Sequence, residues 1–431
     1  MHVTIKQSSL HGDVFAPPSK SYTHRAITFA ALSRSSKIHR PLLSADTLAT
    51  VRACEMFGAV IEQQGETLYI QGVEGKPKIP DDVIDVANSG TTLRFMTAIS
   101  ALTDGITVLT GDSSLRTRPN GPLLEVLRKL NVKACSTREN SRAPLVVKGG
   151  LEGAIVKIDG SISSQFISAL LIACPLAETS TTLSIVGEMK SRPYVDMTLE
   201  ILELAGGKIH VDENNNLKFI IPSKQKYRLG EYTVPGDFSS ASYILAAAAL
   251  TDSVLTVRNL YPSKQGDMEI IEILERMGAD LTWDKEAGVV TVRGGKPLKG
   301  ITFDAGATPD LVPTIAVLAS LAEGTTRIEN AEHVRYKETD RLHALAIELP
   351  KLGVKVKEEK DGLIITGGSL QGGVEVNGWH DHRIVMALTV AGLVAGDITI
   401  DSAESVSVSY PDFFKDMDTL GAQIEKTSEK T

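Results

Sequence analysis

The sequence predicts an α/β protein of two domains, each made of three copies of one small module. Three observations predict it. A helix–strand–turn–strand pattern recurs six times, at intervals of roughly 70 residues. Each recurrence carries a second helix that is apolar on nearly every side. The chain has 431 residues, more than a single compact core ordinarily holds.

The first helix of each pattern is amphipathic and ends at a small residue. The six ends read Met56-Phe57-Gly58-Ala59, Lys129-Leu130-Asn131-Val132, Leu204-Ala205-Gly206-Gly207, Arg276-Met277-Gly278-Ala279, Lys351-Leu352-Gly353-Val354 and Thr419-Leu420-Gly421-Ala422. Gly or Asn just past a helix can take the left-handed conformation that closes it. Alternating stretches follow, as in Ala279-Asp280-Leu281-Thr282-Trp283 and Val354-Lys355-Val356-Lys357. These predict strands with one buried face. Turn residues then lead into second strands such as Gly288-Val289-Val290-Thr291-Val292 and Leu363-Ile364-Ile365-Thr366-Gly367.

The apolar helices are predicted to start at Ser19, Ser89, Ser163, Asp237, Asp310 and His380. A helix apolar all round must be buried. Each module is therefore expected to have an outer amphipathic helix, an inner buried helix and a sheet. Six modules divide as three plus three. Strand propensity at Tyr232-Thr233-Val234 and the Pro235-Gly236 break place one boundary; Ala16-Pro17-Pro18 places the matching crossover. The expected domains are residues 1–17 plus 236–431, and residues 18–235, with crossovers near 14–18 and 232–236.

The inner-helix starts concentrate polar and charged residues: Ser19-Lys20-Ser21, Asn88-Ser89-Gly90-Thr91-Thr92, Ser163-Ser164-Gln165, Asp237-Phe238-Ser239-Ser240, Asp310 and His380-Asp381-His382-Arg383. Free N–H donors and a partial positive charge make a helix start a fit for anions. Capping alone accounts for Asp237 and part of Ser163. It does not account for Lys20, Arg25, Arg94 and Arg383, cations within about two turns of such starts, where they oppose the dipole. Two more segments are rich in cations. Leu115-Arg116-Thr117-Arg118-Pro119 is expected in a loop before a helix. In Arg335-Tyr336-Lys337-Glu338-Thr339-Asp340-Arg341, helical spacing would place Lys337 and Glu338 on one face with Arg341. Arginine forks suit carboxylate or phosphate, and lysine serves as point charge or acid. This many cations fits two polyanionic substrates.

Composition narrows the classes further. A formal net charge of −8 and a mean hydropathy of +0.01 argue against a nucleic-acid or anionic-membrane binder. Apolar stretches break at Gly, Pro or charge before spanning a bilayer, and the N-terminus lacks a signal-peptide pattern. A soluble cytoplasmic protein is expected. Cys54, Cys135 and Cys174 lack metal or redox spacing, and each is expected to pack as a small hydrophobe. His380 and His382, two apart, would point to different faces of a helix. No Walker, dinucleotide or nucleophile-elbow motif is present.

Taken together, Pro18-Ser19-Lys20-Ser21-Tyr22-Thr23-His24-Arg25, Asn88-Ser89-Gly90-Thr91-Thr92-Leu93-Arg94, Arg118-Pro119, Ser163-Ser164-Gln165, Ser191-Arg192-Pro193-Tyr194, Lys337-Glu338-Thr339-Asp340-Arg341 and Asp381-His382-Arg383 resemble the 5-enolpyruvylshikimate-3-phosphate synthases. The resemblance runs in order from residue 18 to about 414. It implies the enolpyruvyl transferase fold: two domains, each of three βαβαββ units with buried inner helices, hinged by two crossovers. It implies that Ser21 and Arg25 hold the shikimate carboxylate. Ser163, Ser164, Ser191 and Lys337 would surround the shikimate phosphate, with Gln165 and Tyr194 against the ring. Lys20, Gly90, Arg118, Gln165, Arg341 and Arg383 would grip phosphoenolpyruvate, with His382 beside its phosphate. Asp310 would contact the attacking hydroxyl, and Glu338 with Lys20 would move protons. Lys20 and Asp310 would also belong to the shikimate-3-phosphate set. In this reading residues 18–235 carry mainly the shikimate-3-phosphate groups. The other domain carries phosphoenolpyruvate and proton-transfer groups. Neither a metal nor an organic cofactor is implied, and a monomer is expected.

Two positions depart from the family pattern. Many members have lysine where Val408 stands, and asparagine where His333 stands; Val408 bears on phosphoenolpyruvate affinity. The fold relative that acts on UDP-N-acetylglucosamine is one alternative. Many of its members have a cysteine in the loop that reads Gly111 to Arg118 here without one, and Lys-Asn where this chain has Lys20-Ser21. A non-catalytic anion-binding protein is the other. It would keep the arginines but would not need Asp310 and Glu338 beside Lys20.

Overall fold

The computed structural model describes residues 1–213 and 217–427. The chain forms two compact units, Met1–Pro17 with Pro235–Thr431, and Pro18–Val234. Twelve α-helices lie in the described residues. They are α1 Lys20–Leu32, α2 Ala45–Met56, α3 Gly90–Ser100, α4 Gly121–Lys129, α5 Ser164–Ala173, α6 Arg192–Leu204, α7 Phe238–Leu250, α8 Glu269–Met277, α9 Val312–Leu321, α10 Arg341–Lys351, α11 His382–Ala395 and α12 Phe413–Thr419.

The odd-numbered helices are the apolar ones, and they are buried nearly throughout. In one unit α3 packs on α5 and touches α1; in the other α7, α9 and α11 pack on one another. Their hydroxyl residues survive in a core by turning back on their own helix. Thr28, Thr97, Ser100, Ser320 and Thr389 each donate to the carbonyl four residues earlier. Truncating a fully buried aromatic there, such as Phe95 or Phe238, would cost about 3–5 kcal/mol.

Six four-stranded sheets share one plan, a parallel pair extended by an antiparallel hairpin. In the sheet under α1, Gly230–Thr233 runs parallel to Ser35–His39; Thr67–Gln71 then pairs antiparallel with both Ser35–His39 and Val60–Gln64. The strand at 230–233 returns the chain to its first module before it leaves that unit. The last sheet departs from the repeat read in the sequence. Ile424–Thr427 follows α12, but its hairpin partner is the N-terminal strand His2–Ile5, which also pairs with Ile398–Ile400. Sequence order hid this because the two strands lie at opposite ends of the chain.

All six residues expected to close the outer helices have positive φ: Gly58 at 102°, Asn131 at 65°, Gly206 at 81°, Gly278 at 94°, Gly353 at 86° and Gly421 at 107°. At Gly278 the left-handed turn lets its N–H and that of Ala279 reach back to Glu275 and Leu274, satisfying carbonyls the helix end would leave open.

Four local expectations fail. Residues 335–341 are not a helix: a 3-10 turn ends at Tyr336, Lys337 is extended, and α10 begins only at Arg341 behind its Asp340 cap. His380 precedes α11 in a left-handed conformation, φ 50°, so His380 and His382 do not share a helix. Asp310 sits in a 3-10 turn, Pro309–Leu311, with α9 starting two residues later. Of the cysteines, Cys54 and Cys174 are buried, and burial pushes both thiols up to about 12. Cys135 is exposed on an alternating strand, which corrects its expected packing. No described helix is long and apolar enough to cross a membrane.

Candidate active site

In the unit of residues 18–234 the polar starts of α1, α3 and α5 carry the predicted side chains. Ser19, Ser89 and Ser163 cap these helices by accepting from Tyr22, Thr92 and Gln165 N–H groups. One cap leaves other first-turn donors open. Lys20 sits in that first turn and pairs with Asp46, Nζ to Oδ2 3.0 Å, both largely buried.

Arg25 is 2% exposed, and its partners are all uncharged. Nε donates to Thr198 Oγ1 at 2.8 Å, Nη1 to the Ser21 carbonyl at 2.8 Å, and Nη2 to the Tyr194 carbonyl at 2.7 Å and Ser168 Oγ at 3.5 Å. Burial pulls the guanidinium down to about 10, although Tyr194, Tyr22 and Tyr232 favour its charge. A buried cation without an internal carboxylate is costly, and a bound carboxylate would offset that cost. The same arrangement brings Ser21 and Tyr194 together at Arg25.

A second convergence surrounds Gly90. A Cβ built there would lie 2.5 Å from Arg94 Nη1, 3.1 Å from Arg118 Nη1 and 3.6 Å from Gln165 Oε1. The absent side chain is what lets two guanidinium groups and an amide meet a bare helix start. Arg118 is oriented by Asn88, Nη2 to Oδ1 2.7 Å, and Gln165 by Thr91, Nε2 to Oγ1 3.0 Å. Ser164 and Ser191 are buried. Ser191 has φ 55°, a left-handed conformation that non-glycine residues adopt at a cost of order 1–3 kcal/mol, and it stands just ahead of α6.

The other unit gathers Asp310, Lys337, Glu338, Arg341, His382 and Arg383. Arg341 is 1% exposed and surrounded by carboxylates: Nε to Asp381 at 2.8 Å, Nη1 to Asp310 at 2.9 Å and Nη2 to Glu338 at 2.6 Å. Burial works against its charge, but Asp381, Glu338 and Asp310 together hold the guanidinium above its ordinary range. Asp310 also takes Arg383, Nη2 to Oδ2 2.9 Å, and lies 3.5 Å from Lys337 Nζ. Lys337, Glu338 and Arg341 therefore do meet, through Asp310 and a turn rather than along one helix face. His382 is buried at the first position of α11, its Nδ1 3.6 Å from Asp381 Oδ1. His333 is buried in the 3-10 turn Glu332–Tyr336; Val408 ends another, Ala403–Val408, and is half-buried.

Sequence reasoning assigned no role to two carboxylates that organise these cations. Asp46 looked like any first-turn acid of α2, where it complements the helix dipole; only the fold brings it to Lys20. Asp381 stood inside a quoted motif, but its hold on Arg341, 40 residues earlier, has no local signature. Among the described residues, no group of three or more His, Cys, Asp or Glu side chains is placed to hold a metal.

The model of the EPSP synthase (3-phosphoshikimate 1-carboxyvinyltransferase) family matches residues 5–417. The chain belongs to the EPSP synthase family. A 3-phosphoshikimate 1-carboxyvinyltransferase of Methanosarcina mazei is 73% identical over 431 residues, all of both chains. One of Methanococcoides burtonii is 67% identical over 424 residues, 98% of this chain and 99% of the relative. Among solved structures, the EPSP synthase of Acinetobacter baumannii superposes with a TM-score of 0.83 at 28% identity, covering 99% of this chain and 100% of the other. The enolpyruvyl transferase NikO of Streptomyces tendae shares the fold, with a TM-score of 0.79 at 20% identity. As an EPSP synthase family member the chain is a transferase with the mixed α/β fold of the enolpyruvyl transferases.

Proposed function

We propose that this chain transfers the enolpyruvyl group of phosphoenolpyruvate to the 5-hydroxyl of shikimate-3-phosphate and releases phosphate. This is a step of the shikimate pathway towards chorismate and the aromatic amino acids. Within the geometry, the observation that carries the reading is Arg25, a buried guanidinium whose hydrogen-bond partners are all neutral. It suits the carboxylate of a shikimate-type acceptor, with Ser21 and Tyr194 beside it. Ser163, Ser164, Ser191 and Lys337 serve the acceptor phosphate.

Phosphoenolpyruvate takes the Gly90 start with Arg118 and Gln165, together with Lys20, Arg341 and Arg383. Its methylene carbon must gain a proton before C2 becomes electrophilic. Lys20 or Glu338 supplies that proton, and a carboxylate takes one from the attacking hydroxyl, which Asp310 contacts. A tetrahedral intermediate forms with the new C–O bond. Loss of a methyl proton and departure of phosphate restore the double bond. The cations offset charge building on the leaving phosphate, and His382 stands close to that phosphate. The enzyme works as a monomer in the cytoplasm.

Phosphate release measured with phosphoenolpyruvate plus each acceptor in turn tests the reading. Turnover with shikimate-3-phosphate and none with UDP-N-acetylglucosamine is expected. The reverse preference would assign the chain to the fold relative, and binding without turnover would make it an anion-binding protein.

A further inference from the structure

One carboxyl beside this cluster is not used by the chemistry above. Asp267 lies in the 3-10 turn Gly266–Met268 that leads into α8 and is 3% exposed. Gln265 fixes the turn against the start of α7: its Nε2 donates to the Gly236 carbonyl at 2.8 Å, and its Oε1 accepts from the Phe238 N–H at 3.2 Å. The Ser239 hydroxyl, in the first turn of α7, donates to Asp267 Oδ2. Asp267 Oδ1 is buried and has no hydrogen-bond partner among the described residues. The charged groups facing it are Asp310 from the turn ahead of α9, Arg383 from α11 and Asp237 at the α7 cap. One helical turn beyond Ser239, the buried Tyr243 hydroxyl faces Arg383 as well; burial pushes that hydroxyl up to about 12.

We propose that Asp267 is a positioning residue that serves as a neutral acid, leaving Asp310 as the anion that holds Arg383. Two buried carboxylates cannot both ionise cheaply beside one guanidinium. Burial, then the charge of Asp310, pushes the Asp267 carboxyl up to about 7. Ionised, Asp267 would compete for Arg383 and slacken the 2.9 Å contact between Arg383 and Asp310 Oδ2. Protonated, it leaves that contact intact. Activity should therefore fall on the alkaline side as Asp267 loses its proton.

The inference rests on the transferase reading, so its test has one arm with activity and one without. Asp267→Asn imitates the neutral acid in shape. In the pH profile of kcat/KM for phosphoenolpyruvate, Asn should remove the alkaline fall and keep the plateau within about threefold of wild type. The thermal arm needs no turnover. The folded chain keeps a proton that the unfolded chain has released, so wild type loses stability as pH rises towards about 7. Asn does not, and its melting temperature relative to wild type should climb between pH 5 and pH 8. An unchanged pH profile, or a plateau lowered by more than about thirtyfold with a normal melting temperature, overturns the proposal. So does a melting difference that is the same at both pH values. A chain inactive in wild-type form would defeat the transferase reading and leave the thermal arm to decide the protonation.

Discussion

Replacing Arg25 by Met separates binding from folding, because the two effects differ in size and need not share a sign. The guanidinium is buried, and its value falls from 12.5 to about 10. At about 1.4 kcal/mol per tenfold, that difference corresponds to roughly 3 kcal/mol of unfavourable charge burial. The penalty is full wherever the group is charged. It eases only as pH rises from about 10, so it is constant across ordinary assay conditions. Met removes it. Met also removes four hydrogen bonds to neutral acceptors, at about 0.5–1.5 kcal/mol each. The sum runs from about 1 kcal/mol stabilising to about 3 kcal/mol destabilising, whereas breaking a compensated buried ion pair costs about 3–5 kcal/mol. Scanning calorimetry of the ligand-free variant should thus place its melting temperature within about 10 °C of wild type. Shikimate-3-phosphate affinity, read by titration calorimetry, should fall about 10- to 150-fold through loss of a charge-assisted contact worth about 1.5–3 kcal/mol. A variant that unfolds several kcal/mol more easily yet binds the acceptor normally would show that Arg25 is structural.

Four further substitutions probe the remaining parts. Glu338→Gln and Lys20→Met should each lower kcat about a hundredfold or more, with the KM for shikimate-3-phosphate within about threefold, because they act on proton transfer; near-normal turnover would remove the role. Gly90→Ala pushes a methyl to 2.5 Å from Arg94 Nη1 and 3.1 Å from Arg118 Nη1. Both are ends of flexible side chains, so steady-state kinetics should show a raised KM for phosphoenolpyruvate while the melting temperature barely moves. Val408→Lys adds a cation at the end of its 3-10 turn; a charge-assisted contact worth about 1.5–3 kcal/mol should lower the KM for phosphoenolpyruvate, and no change would show that the charge is already supplied.

What the sequence made legible was local and repeated. The caps Ser19, Ser89, Ser163 and Asp237 and the six left-handed closing residues are each set by chemistry within four residues. Uniformly apolar helices announce burial wherever they land. The failures are contacts between distant segments. Nothing near residues 2–5 says that they complete a sheet with 398–400 and 424–427. Asp46, Asp267 and Asp381 read as ordinary turn or cap acids until folding brings them to Lys20, Ser239 and Arg341. The run from Arg335 to Arg341 misled for a related reason. Its charges suggested a helical stripe, but Lys337 is extended and the segment is organised by Asp310, which precedes the inner helix of the same module.

The addition–elimination account turns on protonation of the phosphoenolpyruvate methylene carbon. The most direct test is to run the reaction with shikimate-3-phosphate in deuterium oxide, stop it part-way, and analyse the product by NMR and mass spectrometry. Deuterium in the enolpyruvyl methylene group of the product is expected, with its appearance strongly slowed in Glu338→Gln. Product formed with one phosphate released per turnover, but with a methylene free of deuterium, would contradict the account.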